Sequence, residues 1–379
     1  MTKRQLRVTN YEWSLSPRFS IVEINDKKKY TPAAEKNAKT GGPAGKNKQI
    51  KIMEVCGTHT MAIAKYGLRE YFAGVELISG PGCPVCVTPA GRLEQCVLLS
   101  KNKNIIITAF GDMLRVPAVT SSLEKEISNG ADIRVIYSAY DSLKIASENL
   151  KKEIVFMGVG FETTVPLAAA VIAEAYKKKI RNFSLMSMFK SVFPALDVLV
   201  KSEDFKIDGF ILPGNAASIT GCDDFGYISE QYNIPCAVAG FSKDDIIKSV
   251  NFLIESVKKN NAAFKNVYTA AVSKSGNKKA KKMLSDVFDL KDDVWRGFGK
   301  IKKSGFRLKD KYSAFDADKK FKIKPVKEKK DACRCGDIMK GKMNPHGCAL
   351  FAKKCTPLNP YGPCMVSSEG VCSAYYKYR

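Results

Sequence analysis

Short runs of apolar and β-branched residues recur along the middle of the chain, separated by longer stretches with helical periodicity. The runs fall at 51–55, 75–79, 104–110, 132–138, 153–159, 182–188, 208–213 and 235–241. Uninterrupted apolar runs are typical of strands in parallel sheets, which are buried on both faces. Strands that alternate with helices indicate βαβ units. We therefore predict an α/β protein with two Rossmann-like parallel-sheet domains that divide near residue 150.

The pattern weakens at both ends of the chain. Residues 26–48 have Tyr30 as their one large apolar residue and indicate a linker or insertion, and the Lys- and Asp-rich residues 291–330 indicate a connector. The predicted organisation is a basic N-terminal extension (1–49), a first α/β domain (50–150), a second α/β domain with the connector (151–325) and a small irregular C-terminal domain (326–379).

Composition limits where the protein acts and what chemistry it uses. The 379 residues contain no apolar run long enough to span a membrane, and the first residues lack the apolar core of a signal peptide. We expect a cytoplasmic protein without membrane contact. In that compartment, twelve cysteines favour metal ligation or redox chemistry over a disulfide framework. His59 and His346 are the only histidines, which excludes sites built from several imidazoles.

The formal net charge of +24 lies mostly at the periphery. Residues 1–50 and 251–379 carry the excess of lysine and arginine, whereas residues 51–250 are nearly neutral. Nucleic-acid-binding surfaces usually combine basic residues with arginine or aromatic side chains on one face. The basic runs here are scattered and dominated by lysine, so we expect a solvated surface and no nucleic-acid partner.

Unusual residues follow the predicted strands, where open α/β sheets bind ligands. Cys56 and His59 come after the first strand with the i, i+3 spacing of one helical turn. A thiolate and an imidazole could form part of a metal site, or a nucleophile with its base. A buried cysteine beside a helix cap is the structural alternative.

The loop after the second strand contains Cys83 and Cys86 in a Gly- and Pro-rich Cys-x-x-Cys motif. At the start of a helix, the dipole and the unpaired N–H groups stabilise a thiolate, which suits reversible disulfide chemistry. Structural zinc would need a second cysteine pair nearby. We therefore predict redox or metal work for this pair.

The loop after the strand 153–159 resembles a dinucleotide-binding fingerprint but has Thr163 where the third glycine should stand, so NAD binding is rejected. Glu162 and Thr163 could hold a polar ligand or polarise a partner thiol, with simple helix capping as the equal alternative. The loop at 213–217 is expected on the same edge. The remaining central cysteines, Cys96, Cys222 and Cys236, are predicted to be core residues.

Six cysteines lie in the last 47 residues. They are Cys333, Cys335, Cys348, Cys355, Cys364 and Cys372. The wide gaps among Cys333, Cys348, Cys355 and Cys372 suit an iron–sulfur cluster better than tetrahedral zinc, which prefers close pairs. Cys335 and Cys364 then remain as a possible redox pair.

Six motifs in chain order carry a family resemblance from about residue 50 onward. They are MEVCGTHT (53–60), GPGCPVCVTP (80–89), FGDMLRVP (110–117), GFETTVP (160–166), WRGFG (295–299) and CTPLNPYGPCMVSSEGVC (355–372). The chain resembles the HypD-type nickel–iron hydrogenase maturation proteins. The resemblance implies two α/β domains around a cleft and a C-terminal 4Fe-4S domain.

The resemblance also implies an assembly scaffold with redox activity rather than a turnover enzyme. With a HypC-type chaperone, the protein would carry an iron that acquires carbon monoxide and two cyanides, the cyanides coming from a HypE-type partner. Outside such complexes we expect a monomer. An alternative is a stand-alone cluster-linked thiol-disulfide reductase, and a third class is a basic nucleic-acid-binding protein with a structural metal tail.

The family roles map onto cysteines of this chain by motif. Cys56 would bind iron with His59 beside it, Cys83 and Cys86 would be the thiol pair of the cleft, and Cys335 with Cys364 would relay electrons. The implied 4Fe-4S ligands are Cys333, Cys348, Cys355 and Cys372, which keep the family's 14/6/16 spacing.

The chain departs from the family pattern in the polar residues around these motifs. Family members commonly have histidines at the positions of Met61 and Asn215, an acidic residue at Ser242, and an arginine near Ala270 or Ala271. The insertion at 26–48 is also not typical.

Overall fold

A computed structural model describes residues 49–328 and 332–378. These residues form eleven strands: β1 (Ile50–Glu54), β2 (Val75–Ser79), β3 (Ile105–Phe110), β4 (Ile133–Ile136), β5 (Glu153–Gly158), β6 (Phe183–Ser187), β7 (Gly209–Pro213), β8 (Cys236–Ala239), β9 (Phe264–Asn266), β10 (Phe288–Trp295) and β11 (Gly299–Leu308). The first eight match the eight predicted strands to within two residues at either end. The predicted N-terminal extension and its linker at 26–48 lie outside the described residues.

Helices occupy most of the connections between the strands. They are α1 (Gly57–Lys65), α2 (Leu68–Tyr71), α3 (Pro84–Val87), α4 (Ala90–Ser100), α5 (Leu123–Ser128), α6 (Ala139–Glu148), α7 (Val165–Lys177), α8 (Val192–Val200), α9 (Gly214–Thr220), α10 (Asp223–Tyr232), α11 (Lys243–Lys258), α12 (Lys278–Val287), α13 (Ala317–Lys320), α14 (Cys335–Met339), α15 (Pro363–Val366) and α16 (Val371–Lys377). Short 3₁₀ helices lie at Gly111–Met113, Asp310–Phe315 and Pro345–Gly347.

The first nine strands form two parallel sheets, which confirms the α/β class. Sheet A has the order β2-β1-β7-β8-β9, and sheet B has the order β4-β3-β5-β6. In each sheet the strand order reverses once, between β1 and β7 in sheet A and between β3 and β5 in sheet B. Such switch points leave a crevice at the carboxyl ends of the strands, where α/β proteins bind ligands.

Both sheets are covered on two faces, as their continuous apolar runs require. In sheet A, Met53 and Phe210 belong to one apolar cluster, and their neighbours Ile52 and Ile211 belong to the cluster on the opposite face. This alternation follows from the two-residue repeat of a strand. The open cleft expected between the sheets stays a prediction.

The division expected near residue 150 differs from the sheet topology. The strands on either side of that residue, β4 and β5, both pair with β3. Sheet A instead combines β1 and β2 with β7 to β9. A hydrophobic pattern shows which segments are strands, but not which strands pair, because pairing depends on contacts between distant parts of the chain.

The Lys- and Asp-rich stretch that begins at residue 291 is not a plain connector: it contributes to the antiparallel hairpin β10–β11. Its buried apolar side chains, among them Phe288, Trp295 and Phe306, cover the core, whereas Leu290 and Val294 are exposed. The buried Lys190 ammonium after β6 binds the hairpin at Asp293, with Nζ 2.6 Å from Oδ2.

The cysteine-rich tail has short helices and shares its core with sheet B. Its buried residues Ile338, Met365 and Cys372 lie in the same apolar cluster as Val155 of β5. The separate C-terminal iron–sulfur domain therefore stays a prediction, since the tail's apolar side chains are covered by the α/β core. No helix within residues 49–328 and 332–378 has the length and apolar character needed to cross a bilayer.

Candidate functional site

Loops from the switch points of both sheets line one pocket of about 150 Å³, which we call the thiol pocket. Sheet A contributes Cys56 and Thr58 after β1 and Asn215 after β7. Sheet B contributes Thr163 after β5, and the C-terminal tail contributes Glu369. The loops that carry the sequence motifs are thus brought together although they are far apart in the chain.

Cys56 lies at the N-cap of α1, directly against the loop after β2. Its N–H donates to Glu54 Oε2 at 2.9 Å, and the N–H of Gly57 donates to the C=O of Gly82 at 2.9 Å. A Cβ atom added to Gly82 would lie 2.2 Å from the Cys56 nitrogen, so only glycine permits this approach. The approach places the Cys83 loop beside Cys56, as the sequence predicts for neighbouring parallel strands.

The Cys56 thiol is 7% exposed and favours its protonated form. Burial raises its pKa to about 12, and the carboxylates of Glu369 and Glu54 act in the same direction. The backbone N–H groups of His59 and Thr58 at the start of α1 offset part of this effect. A metal ion that binds here must therefore displace a proton.

Glu54, a residue that the sequence analysis missed, holds the Cys56 backbone by a hydrogen bond. Its carboxyl accepts the Cys56 N–H and the Thr60 hydroxyl, and it also bonds Ser79 at the end of β2. Burial raises the pKa of Glu54 to about 7, and the charge of Arg69 offsets only part of the shift. The one signal in the sequence is an acidic residue at the end of a strand that is otherwise buried.

His59 is fully buried and lies away from the lining of the thiol pocket. Its Nε2 is 2.9 Å from the C=O of Gly240, and since a carbonyl only accepts, Nε2 carries the proton. Nδ1 is left unprotonated, without a hydrogen-bond partner in the part of the chain that the structure describes. Burial lowers the pKa of His59 to about 4, so the ring is neutral. A metal site shared by Cys56 and His59 stays a prediction.

Cys83 and Cys86 flank the first turn of α3 and are both buried. The Cys86 N–H donates to Cys83 Sγ at 3.3 Å, and the Cys83 thiol donates to Ser367 Oγ at 3.3 Å. The expected stabilisation of a thiolate by the helix is wrong for Cys86, because burial raises the pKa of this thiol well above its usual value. A helix of four residues has too small a dipole to offset desolvation.

The Cys-x-x-Cys pair leads into a continuous line of thiols. Cys86 has Cys83 and Cys364 as neighbours, Cys364 has Cys335, and Cys335 has Cys333, and within each pair the two thiols shift each other's pKa. All twelve cysteines of the chain are free thiols in the structure. The line runs from the Cys83 loop, which lies beside Cys56, into the C-terminal tail, whose cysteines lie between residues 333 and 372.

The four widely spaced tail cysteines lie within electrostatic reach of one another. The charges of Cys333, Cys355 and Cys348 each raise the pKa of Cys372, in addition to the larger effect of burial. In residues 49–328 and 332–378, no three His, Cys, Asp or Glu side chains are close enough to share a single metal ion. A four-iron cluster makes a different demand, since each thiolate binds its own iron.

The backbone around these thiols suits sulfur ligands. The N–H of Tyr361 donates to Cys355 Sγ at 3.4 Å, and Gly362 contributes a second backbone N–H. A Cβ on Gly362 would lie 2.5 Å from Cys333 Sγ, so this glycine leaves room for the sulfur. Four soft donors, one of them with backbone N–H groups directed at its sulfur, fit an iron–sulfur cluster.

Glu162 and Thr163 take different positions. Glu162 is buried, with Oε1 accepting the Val192 N–H at 2.9 Å and burial raising its pKa, while its Oε2 has no partner among the described residues. It therefore caps α8 rather than its own helix α7, and it does not line the thiol pocket. Thr163 is exposed and lines that pocket.

Glu369 and Asp112 are further polar groups at the site that sequence reasoning missed. Glu369 Oε1 accepts the Thr58 hydroxyl at 2.7 Å, and burial raises its pKa, as does the nearby Asp112 charge. Asp112 follows β3 at the switch point of sheet B, and burial raises its pKa too. Both residues lie in motifs already quoted, FGDMLRVP and CTPLNPYGPCMVSSEGVC, but only the folded chain brings them together.

The three remaining cysteines are core residues, as predicted. Cys96 packs against Met186, with the sulfur atoms 3.1 Å apart, and Cys222 and Cys236 lie in the apolar cluster on one face of sheet A. Each is at most 4% exposed.

Comparison with known proteins gives one consistent family. The HypD family model, described as "Hydrogenase formation hypA family", matches residues 32–379. A hydrogenase maturation factor HypD of Escherichia coli (strain K12) is 40% identical over 333 residues, or 87% of this chain and 89% of the relative. HypD2 of Bradyrhizobium diazoefficiens is 39% identical over 345 residues (88% and 91%), and HypD of Rhodobacter capsulatus is 39% identical over 338 residues (87% and 90%).

Proposed function

The chain belongs to the HypD family of hydrogenase maturation factors, and from this premise we propose that it is the scaffold on which the iron group of a nickel–iron hydrogenase is assembled. A HypC-type chaperone would share the iron, and a HypE-type partner would donate its cyanides. The product would be an iron carrying two cyanides and one carbon monoxide. The observation that carries this proposal is the line of neighbouring thiols that runs from the Cys83 loop, beside Cys56, to the tail.

The substrate iron binds at Cys56 in this proposal. The thiol pocket is small and its thiol is mostly withdrawn from water, which suits an iron that must keep carbonyl and cyanide ligands. A thiolate is the soft donor that such an iron requires. Glu54 fixes the position of the Cys56 backbone. The unprotonated Nδ1 of His59, three residues later in the chain, has a lone pair available to a metal ion.

The line of thiols moves electron pairs between the pocket and the tail. Oxidation of Cys83 and Cys86 to a disulfide would transfer two electrons and two protons to the substrate group carried by the iron at Cys56, which is the electron acceptor. The Cys364 thiolate then attacks Cys86 and releases Cys83, and Cys335 attacks Cys364 and releases Cys86. Cys83 and Cys86 are thiols again, and the disulfide has moved to Cys335 and Cys364.

A resident 4Fe-4S cluster would be held by the four tail thiols Cys333, Cys348, Cys355 and Cys372. Such a cluster would supply the two electrons, one at a time, that reduce the neighbouring Cys335–Cys364 disulfide back to two thiols. The chain's own contribution is to keep these sulfurs partly out of water and to direct backbone N–H groups at Cys355. In this proposal the protein is an assembly scaffold with redox activity and not a turnover enzyme. Outside its complexes it is a cytoplasmic monomer.

The test is Cys56→Ser in a host that depends on this protein for its hydrogenase. We expect hydrogenase activity to be lost, because serine cannot supply the soft ligand. Infrared spectra of the purified protein mixed with a HypC-type partner should show iron-bound cyanide and carbonyl bands for the native chain and none for the variant.

Cys222→Ser is the matched control, since Cys222 is buried but far from the line of thiols in the fold. It should keep both the bands and the hydrogenase activity. Normal maturation with Cys56→Ser would contradict the proposal. Turnover of a model disulfide without any partner protein would instead favour the thiol-disulfide reductase.

A further inference from the structure

The loop from Thr356 to Tyr361, which we call the tail loop, presents apolar side chains to solvent directly after the implied cluster ligand Cys355. Leu358 at its tip is 91% exposed, and Tyr361 is 40% exposed. The loop belongs to a motif of which the proposed function uses only the cysteines. Single exposed leucines are common on protein surfaces, so this one is distinguished by how its loop is held and by what lies beside it.

Hydrogen bonds fix the shape of the tail loop. Thr356 and Asn359 exchange two backbone hydrogen bonds, of 3.3 and 3.1 Å. The side-chain amide of Asn359 donates to the C=O of Lys354 at 3.2 Å. Arg115, in the motif FGDMLRVP after β3, donates to the C=O of Pro357 at 2.5 Å. A surface fixed in this way loses little conformational entropy when a partner binds.

The tail loop packs against the sulfurs of two implied cluster ligands. The N–H of Tyr361 donates to Cys355 Sγ at 3.4 Å. The next residue, Gly362, lies against Cys333, since a Cβ at this glycine would be 2.5 Å from the Cys333 sulfur. Leu358 is three residues after Cys355, and three residues span at most about 11 Å. A protein bound at the tip of the loop is therefore held close to the implied cluster site.

Unpaired positive charge lies beside the tail loop. Lys353 and Lys354 directly precede Cys355 and are exposed. In the part of the chain that the structure describes, neither ammonium group has an ion pair or a hydrogen bond. Two other cations of these segments are neutralised in ion pairs, Arg115 by Glu124 at 3.7 Å and Arg334 by Asp337 at 2.5 Å. The charge left over is positive, which favours an acidic partner.

The proposed redox sequence needs a donor of single electrons from outside the chain. Reduction of the Cys335–Cys364 disulfide consumes two electrons and two protons, and water can supply only the protons. A dithiol donor would deliver both electrons directly to the disulfide by thiol exchange and would need no cluster. A donor that acts through an iron–sulfur cluster delivers its electrons singly. The partner required by this chemistry is therefore a one-electron carrier.

We propose that the tail loop is the docking surface for a small acidic electron-carrier protein, an inference that rests on the proposed function. In each encounter the reduced carrier gives one electron to the oxidised cluster and leaves oxidised, so two encounters complete the reduction of one disulfide. Leu358 and Tyr361 are covered on binding, and Lys353 and Lys354 attract carboxylates of the carrier. Electron-transfer complexes are weak and bury less than about 1,200 Å², so a surface of a few side chains is sufficient.

The test mixes the cluster-loaded full chain, purified without oxygen, with a reduced acidic 2Fe-2S ferredoxin as the probe. Stopped-flow absorption measures the rate of cluster reduction. Nuclear magnetic resonance of the isotope-labelled oxidised ferredoxin, titrated with the chain, measures binding without electron transfer. We expect the rate to fall with added salt, because the attraction is between exposed charges. Dithionite, a small reductant that needs no docking surface, should reduce the native chain and every variant at the same rate.

Two variants change the docking surface and leave the cluster ligands in place. Leu358→Ser should lower the second-order rate by about tenfold, because a leucine side chain is no longer buried on binding. Lys353→Glu combined with Lys354→Glu should lower the rate by at least roughly tenfold and remove its fall with salt. Both should weaken the binding seen by magnetic resonance.

Two matched controls separate docking from general effects of polarity and charge. Leu150→Ser changes a leucine that is 79% exposed in the turn before β5. Lys248→Glu combined with Lys258→Glu, both exposed on α11, changes the net charge by the same amount as the docking variant. Both controls should keep the native rate and the native binding.

The docking surface is wrong if dithionite reduces the native chain but the ferredoxin does not. It is also wrong if Leu358→Ser accepts electrons as fast as Leu150→Ser, or if reversal of the two lysine charges leaves the rate unchanged. A native chain without a cluster that dithionite can reduce would contradict the proposed function itself, and the docking proposal with it.

Discussion

At the scale of single residues, the site is dominated by buried groups whose charged forms are disfavoured by desolvation. Burial raises the pKa of the Cys56 thiol to about 12 and that of Glu54 to about 7, and lowers the pKa of His59 to about 4. The charge of Arg69 offsets the shift of Glu54 only in part. The pocket around Cys56 is therefore a low-charge environment until a metal ion arrives.

Glu54→Gln tests this environment through the pH dependence of stability. The pKa of Glu54 rises from 4.5 in the unfolded chain to about 7 in the folded chain. The stability that this group contributes is fully present below pH 4.5 and is lost as the pH rises through 7. Relative to the Gln variant, the native chain should therefore lose up to about 3 kcal/mol of unfolding free energy over this range.

Chemical denaturation of both proteins without metal, at pH 4.5, 6 and 8, measures the difference. His59 has the opposite slope, since its pKa is lowered, but it is present in both proteins and cancels in the comparison. Glu148→Gln changes an exposed carboxylate and serves as the control. A constant difference between native chain and Glu54→Gln would show that Glu54 titrates as it does in the unfolded chain.

At the scale of elements, the contact between the loops after β1 and β2 decides the geometry of the site. Glycine at position 82 lets the second loop touch the Cys56 backbone, and no flexible side chain is available to give way. The two thiol-bearing loops are thereby held in one arrangement. The same principle of close backbone approach joins the hairpin to the tail, where Gly297 lies against Gly336.

Gly82→Ala should displace the loop, since its Cβ would lie within 2.2 Å of the Cys56 nitrogen. We expect a loss of roughly 1–3 kcal/mol in unfolding free energy and a loss of hydrogenase maturation. Thermal unfolding and the maturation assay together measure both effects. Gly226→Ala in α10 is the matched control, because the nearest atom to its Cβ is 3.8 Å away, and stability there should hold or rise.

Eight of the nine strands in the two parallel sheets could be predicted from sequence, while β9 and the pairing of the strands could not. Eight apolar runs predicted β1 to β8 because strands buried on both faces need no alternating pattern. The hairpin β10–β11 was missed, since its many lysine and aspartate residues conceal buried residues such as Trp295 and Phe306. Glu369 could not be predicted at the pocket, because it comes from a segment more than 300 residues after Thr58.

At the scale of the whole molecule, the C-terminal tail contacts both the loop of Cys83 and Cys86 and the thiol pocket. Its buried cysteines share an apolar cluster with Cys83 and Cys86, and Glu369 reaches the thiol pocket. The line of thiols exists only because the tail packs against α3 and sheet B. Substitution of a cluster-binding cysteine in the tail should therefore also change the thiol pocket.

Cys355→Ser tests the link between tail and cluster. Native protein purified without oxygen should contain roughly four irons and four acid-labile sulfides per chain and absorb visible light. The variant should lose most of both and unfold at lower temperature, because the tail loses the stabilisation that a bound cluster supplies. Iron and sulfide analysis with thermal unfolding measures the effect.

Cys236→Ser is the control for this experiment, since it changes a buried cysteine of sheet A. It should leave the iron and sulfide content unchanged. Colourless native protein that contains zinc instead of iron would remove the cluster from the proposal.

The way the two sheets share the chain has a consequence for synthesis on the ribosome. All of sheet B lies between β2 and β7, so the nascent chain makes its four strands before sheet A has received its central strand. β1 and β2 can pair early, but the β1–β7 crevice that holds Cys56 closes only after residue 213 has emerged. The thiol of Cys56 thus stays accessible during most of translation, and it becomes enclosed only when the C-terminal tail, made last, delivers Glu369.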